Sequence, residues 1–207
     1  MDAVYFWRKY CYVVFRSWEL RKNLLWYKVP YETNYWYKKW IEELIKRGWS
    51  IKATVCDWRR WLLGWFWEIP TQMCIFHQKM IIRRHISKNP ILKPNIELKE
   101  IGLDVWKWSR KTYEEWLNDW YKRNYKWLME KNEEWGLIHA RTHKAYRSLK
   151  NKMAYLYTFE KHPELDIPQT NNSLEAINSH LKTKTRIHRW LTEKRKCKII
   201  EYYLYIS

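Results

Sequence analysis

The sequence predicts an α/β protein: a mixed sheet flanked by helices, with an all-helical insertion. Three observations carry this. Residues 10–15 and 23–29 are rich in β-branched and aromatic side chains and read as a strand pair joined around residues 17–22. Residues 51–56 form a further apolar strand ending on Asp57, and strand C-terminal ends are where ligands usually sit in α/β sheets. From residue 96 to about 157 the pattern turns helical and rich in Lys, Glu, Trp and Tyr.

The remaining elements follow in order. Residues 35–47 read as a helix whose Trp36, Trp40, Leu44 and Arg47 line one face with Ile41 and Ile45 beside it, and Gly48 supplies a C′ stop. Residues 59–66 are a short helix or loop, 72–76 a short strand, and 77–87 a helix. Pro90 and Pro94 mark a break. Two long helices are expected at 111–132 and 137–157, with Gly136 at the joint and Trp116, Trp120 and Trp127 in their core. Residues 162–170 are a Pro-containing loop, and a last helix covers 192–203. This divides the chain into a first part of the core at 1–90, a helical insertion at 91–165 and C-terminal helices completing the core at 166–207.

Forty Lys and Arg against 22 Asp and Glu give a net charge of +18 over 207 residues. A charge that large points to a polyanionic partner, most simply nucleic acid. The cations are spread along the chain, which favours a charged face over a disordered arm. No clean apolar helix face adjoins them to suit a membrane surface, and no apolar run approaches the roughly 20 residues of a membrane span. Cys11, Cys56, Cys74 and Cys197 lie far apart and form no disulfide pattern, which fits a reducing cytosol.

Residues 168–190, PQTNNSLEAINSHLKTKTRIHRW, say most about chemistry. At helical spacing Asn172, Glu175, Ser179, Lys182 and Arg186 fall on one stripe, and Leu174, Ile177 and Leu181 on another. One face can dock on a core while the other shows an acid followed by cations, which suits a metal-binding carboxylate beside a phosphate-binding track. A plainer reading stands beside it: Asn172 and Glu175 also have capping-box spacing. Likewise Asp57 can simply start a turn, and Asp2 sits at a terminus, where residues are often mobile.

The wording of this stretch resembles the last catalytic segment of bacterial insertion-sequence transposases of the DDE type, close to the Mutator-like group, which have an RNase H-like core. The family pattern TNN-x-LE, N-S-x-LK and R-x-H-R-G-L is matched by Thr170, Asn171, Asn172, Leu174, Glu175, Asn178, Ser179, Leu181, Lys182, Arg186, His188, Arg189 and Leu191. Residues 1–8, MDAVYFWR, resemble the first catalytic block with Asp2 as its acid. Residues 55–77 resemble the second, with Asp57 as its acid and Pro70, Gln72, Met73, Cys74, Phe76, His77 and Gln78 as its tail.

The resemblance implies an RNase H-like fold and a polynucleotidyl transferase that cleaves and transfers DNA strands. Asp2, Asp57 and Glu175 would be the catalytic metal ligands, for Mg²⁺ or Mn²⁺, with Cys74 and His77 supporting the site. Arg59, Arg60, Lys182, Lys184, Arg186, His188 and Arg189 would contact DNA phosphates; a solvated basic face is the plainer account of them. Trp120, Tyr121, Tyr125 and Trp127 could stack on bases, although helical spacing fits core packing better. The partners implied are the mobile element's ends and its target DNA, with a homo-oligomer for the full-length protein in the bacterial cytoplasm.

Two departures qualify this. The relatives carry more sequence before the first acid, including a DNA-end-binding domain and most of the strand that holds the acid. Asp2 is therefore expected on a frayed end, in a fragment that is weakly active or inactive, at most a basic DNA-binding remnant. The second departure is compositional. Average glycine usage predicts about 14 glycines, yet there are 4, against 17 tryptophans. The family pattern has glycine at positions matching Trp7, Trp58, Trp61 and Trp190. UGA codons that mean glycine in the source but were read as tryptophan would account for this.

Overall fold

The computed structural model describes residues 1–7, 9–57 and 69–207. It is a mixed α/β structure and divides into two compact units, Met1–Pro70 with Asn171–Ser207, and Thr71–Thr170. Residues 71–90, placed with the core by the sequence pattern, cluster with the helices of the second unit. The expectations for residues 59–66, for Arg59 and Arg60, and for Trp58, Trp61, Trp65 and Trp67 lie outside the described residues. Among the described residues no helix is long and apolar enough to cross a membrane.

The first unit is built on an antiparallel meander: β1 (Asp2–Phe6), β2 (Tyr10–Arg16) and β3 (Asn23–Val29), with β2 central. The β1 register runs from Asp2↔Val14 to Phe6↔Tyr10, and β3 pairs from Cys11↔Val29 to Phe15↔Leu25, with a shift at Phe15/Arg16. Because β2 is covered on both faces, its residues from Tyr10 to Phe15 are all buried, which explains why it reads as a continuous apolar run.

Helix α1 (Asn34–Lys46) buries Tyr37, Ile41 and Leu44, and Tyr37 meets Phe15 edge-on at 6.0 Å. This differs from the expected face. Ile45 is exposed, while Trp36 and Trp40 flank the contact in a stack with Tyr27, whose ring lies 3.5 Å from that of Trp40. The helix ends as Gly48 predicts. Gly48 has φ +85°, its N–H donates to Ile45 O at 2.9 Å, and Trp49 N–H donates to Leu44 O at 3.1 Å. That double closure is a Schellman motif, which needs a left-handed residue at C′. Strand β4 (Thr54–Cys56) follows, shorter than expected but ending on the same residue.

Two C-terminal helices, α7 (Asn172–Ile187) and α8 (Glu193–Ile206), complete this unit. Leu174 and Leu181 of α7 and Ile200 and Leu204 of α8 pack with Val4, Phe6, Tyr10, Tyr12 and Val14 in one core. Polar ties pin α8 to the sheet: Arg16 Nη1 donates to Ser207 O at 2.8 Å, Asn23 Nδ2 to Leu204 O at 2.9 Å and Tyr12 Oη to Glu201 Oε1 at 3.0 Å.

The second unit holds β5 (Thr71–Met73), α2 (Ile75–His85), α3 (Lys93–Leu103), α4 (Arg110–Leu128), α5 (Ala140–Leu156), the short α6 (Thr158–Lys161) and a 3₁₀ turn at Pro163–Leu165. Pro94 lies in the first turn of α3, where its missing N–H costs no helical bond. Ser109 caps α4 through the Thr112 N–H. α2 and α3 approach so closely that a Cβ on Gly102 would meet Ile82 Cγ1 at 2.9 Å. The long helical pair is shorter than its apolar pattern suggests. α4 stops at Leu128 because Lys131 and Leu137 bridge as a tight hairpin, with Gly136 N–H donating to Asn132 Oδ1 at 2.7 Å. Trp120 is fully buried, as expected, and its Nε1 donates to Pro94 O at 3.1 Å. Trp127 is half-buried against His139, whereas Trp116 is exposed rather than core.

Gln72 braces this unit. It is completely buried; its Nε2 donates to Leu156 O at 2.9 Å and its Oε1 accepts from Phe159 N–H at 3.1 Å. β5 is thus tied to the end of α5 and the start of α6 by a side chain whose amide has both groups satisfied.

Candidate functional site

The candidate acids Asp2, Asp57 and Glu175 all belong to the first unit. Asp2 opens β1, Asp57 directly follows β4, and Glu175 sits in the first turn of α7. Each is half-buried.

Their three segments meet at Met1. The Met1 nitrogen donates to Val55 O at 2.8 Å, two residues before Asp57. The Met1 carbonyl accepts from Asn171 Nδ2 at 3.3 Å, four residues before Glu175. Asp2 itself accepts through Oδ2 from Asn178 Nδ2 at 2.9 Å, one helical turn beyond Glu175. Asp2 is therefore not frayed. Its backbone is paired with β2, its neighbour is tied on both sides, and its carboxylate is held.

Helix α7 explains how one segment carries both contacts. Its buried positions are Asn171, Leu174, Asn178, Leu181 and Thr185, a single stripe at helical spacing, with Ile177 beside it. Two members of that stripe are asparagines, and these are the residues that reach Met1 and Asp2. The adjoining stripe is as the pattern predicts: Asn172, Ser179, Lys182 and Arg186 are exposed and Glu175 is half-buried. The capping-box alternative does not form. The N-cap is Asn171, so N3 is Leu174, which has no polar group to return. Asn171 makes no side-chain cap and turns to Met1 instead.

Among the candidate phosphate contacts, Lys182, Lys184, Arg186 and Arg189 are exposed, and His188, the C-cap, is half-buried. Lys184 and Arg186 lie in the last turn of α7, where the helix dipole favours cations, as it favours Glu175 near the start. The Arg189 carbonyl accepts from Lys196 Nζ at 2.7 Å, which fixes the turn between α7 and α8. α7 is thus acidic at one end and cationic at the other, anchored by an apolar face between.

In the second unit, Cys74 is the N-cap residue of α2 and His77 lies in its first turn. The Cys74 Sγ and a His77 ring nitrogen are within 4.8 Å of each other. Of the aromatic candidates there, Trp120 is core, Tyr121 stacks on Tyr146 at 4.5 Å, and Tyr125 is exposed.

Asn171 and Asn178 carry no role in the sequence pattern beyond matching the family wording. The signal for them is a polar residue recurring on an otherwise apolar helical stripe. Compared with models of known families, with curated proteins and with solved structures, the chain shows no match.

Proposed function

We propose that this chain is the catalytic domain of a bacterial DDE-type transposase with an RNase H-like core. It would perform metal-dependent DNA strand cleavage and transfer. The observation that carries the reading is the junction at Met1, where backbone and asparagine contacts draw in the segments bearing Asp2, Asp57 and Glu175. The bonds tie together three segments that lie far apart in sequence, each of which carries one of the acids. The three-stranded meander followed by α1 and then β4, with Val55 bonded at the start of β1, supports the fold half of the reading.

Three carboxylates are a hard-oxygen donor set suited to Mg²⁺ or Mn²⁺. Bound there, such ions supply activation of an attacking water or 3′-hydroxyl and stabilisation of the leaving oxygen in an in-line phosphoryl transfer. The chain's own residues do the rest. Asn178 donates to one oxygen of Asp2 and orients the other. The buried face of α7 sets the position of Glu175. Lys182, Lys184, Arg186 and Arg189 hold the phosphate backbone beside the acids and add salt-sensitive affinity without sequence preference. No covalent enzyme intermediate is needed.

The test is nicking of supercoiled DNA by the purified chain with Mg²⁺, against Asp2→Asn and Glu175→Gln. Activity lost in both variants is the expected result. Activity that survives Glu175→Gln rejects the site. Salt-sensitive binding without Mg²⁺-dependent cutting favours the second reading, a catalytically inactive DNA-binding remnant, which the exposed cations of α7 alone would support.

A further inference from the structure

Two tryptophans occupy backbone conformations that glycine favours. Among the described residues four non-glycine residues have positive φ: Trp7 at 49°, Arg21 at 52°, Trp135 at 60° and Asp166 at 44°. Aspartate enters this region with little strain, but a bulky aromatic residue rarely does, because its Cβ crowds the following carbonyl.

In each tryptophan's case the surrounding turn sets the conformation. Trp7 leads the loop between β1 and β2. Phe6 pairs with Tyr10, and Lys9 N–H donates back to Phe6 O at 3.1 Å. Trp7 is thus the second residue of a four-residue turn closing a β-hairpin. A turn closed by this bond with positive φ at its second residue is of a mirror-image type, and glycine occupies that position without strain. Trp135 belongs to a different turn in the other unit. Its N–H donates to Asn132 O at 3.0 Å, and Asn132 N–H donates to Gly136 O at 2.9 Å. That is a turn opened by asparagine and followed by a left-handed residue in a bulge, the position at which glycine is the usual occupant.

Packing does not explain tryptophan at either place. Trp135 is 79% exposed, with the Lys131 amine 5.1 Å above its ring. Trp7 is 43% exposed and rests on Phe6, Tyr10 and Lys196 at the hairpin's end. The wider pattern agrees. Trp120 is the only fully buried tryptophan among the described residues, while Trp49, Trp106 and Trp190 are exposed like these two. Tryptophan is ordinarily among the more buried side chains. Among the described residues, several tryptophans of this glycine-poor chain thus stand on the surface, two of them in turns where glycine is at home.

We propose that the functional polypeptide carries glycine at positions 7 and 135, the source cell decoding as glycine a codon that is read here as tryptophan. Trp120, buried and hydrogen-bonded through its indole, is a true tryptophan. Backbone geometry and exposure carry this whatever the chain catalyses.

Two measurements test it. Peptide mass spectrometry of the protein isolated from its source is expected to give glycine at 7 and 135 and tryptophan at 120; tryptophan at 7 or 135 overturns the proposal. In the recombinant chain as written, Trp7→Gly and Trp135→Gly are each expected to raise the melting temperature by roughly 2–4 °C through relief of left-handed strain, less the entropy that glycine adds to the unfolded chain. Trp120→Gly is the control and lowers it. No change or a fall in either turn variant shows that the backbone does not ask for glycine there and overturns the proposal.

Discussion

Asn178 and Asp2, 176 positions apart, are joined by a 2.9 Å hydrogen bond from the amide nitrogen of one to the carboxylate of the other. Asn178 lies in the buried stripe of α7, one turn after Glu175, and Asp2 opens β1. The bond does two things at once. It seats a polar residue in an apolar interface, and it couples the helix carrying one acid to the strand carrying another.

Asn178→Ala should therefore cost about 1–3 kcal/mol in urea unfolding, the usual range when a buried hydrogen bond to a charged group is removed. Asn178→Asp should cost more, because it sets a second carboxylate against Asp2. Added Mg²⁺ should recover part of that loss if the junction takes a cation. Equal stability of wild type and Asn178→Ala would show that the contact is incidental.

The two faces of α7 should separate cleanly under mutation. Leu181 is completely buried in the core of the first unit, so Leu181→Ala is expected to lose about 2–5 kcal/mol through lost transfer energy and a residual cavity. Its neighbour Lys182 is exposed, and Lys182→Ala should move stability by no more than about 0.5 kcal/mol.

DNA affinity should show the reverse. The paired change Lys182→Ala with Arg186→Ala is expected to weaken binding to any duplex and to reduce the slope of log affinity against log salt by about 2, roughly one per lost phosphate contact. Filter binding over a salt series measures this. An unchanged slope would mean that α7 does not face the nucleic acid.

Gln72 offers a test in the second unit. Gln72→Leu keeps the volume but leaves Leu156 O and Phe159 N–H without that partner. A loss of about 2–4 kcal/mol is expected from the two stranded backbone groups. Hydrogen exchange at Phe159 should quicken accordingly.

Stability should also fall on mild acidification. Burial first, and then the charges of Lys144, Arg141, Arg84 and Lys152, hold the His85 imidazole below its ordinary value; burial and Arg147 do the same to His143. A group whose folded value is depressed contributes stability above its unfolded value, about 6.5 here, and that stability is lost as pH drops through the folded value. Melting temperature should thus decline between about pH 7 and pH 5, and His85→Gln should flatten the decline. A profile identical to wild type would remove His85 from the account.

Part of this fold is legible in the residues alone. The strands at 10–15 and 23–29 and the Gly48 stop need only neighbours along the chain, as does the division of α7 into an apolar and a charged stripe. Periodicity and turn chemistry are local, and the folded chain keeps them. The face of α1 is ambiguous in sequence because Trp36 and Trp40 are as apolar as Tyr37 and Ile41. Which of two adjacent apolar stripes meets the sheet depends on the sheet, here on Phe15. α4 ends earlier than its periodicity predicts because Lys131 and Leu137 pair with each other, a preference invisible to a helical count.

By itself, then, the sequence determined the coarse class of fold, the strand ending at Asp57, the helix carrying Glu175 and a strongly basic composition, since composition and local periodicity suffice for these; Asp2, expected on a frayed end, stands instead in a paired strand. The tertiary structure decided which residues hold those elements together: Asn171 and Asn178 reaching across to Met1 and Asp2, and Val55 bonded to Met1. The left-handed backbone under Trp7 and Trp135 also became visible only there. The physical reason is the same in each case. A hydrogen bond between residues far apart in sequence, or a dihedral angle set by closure of a hairpin, arises only when distant segments are brought together. Until then, an asparagine on an apolar stripe and a tryptophan in a turn are merely out of place.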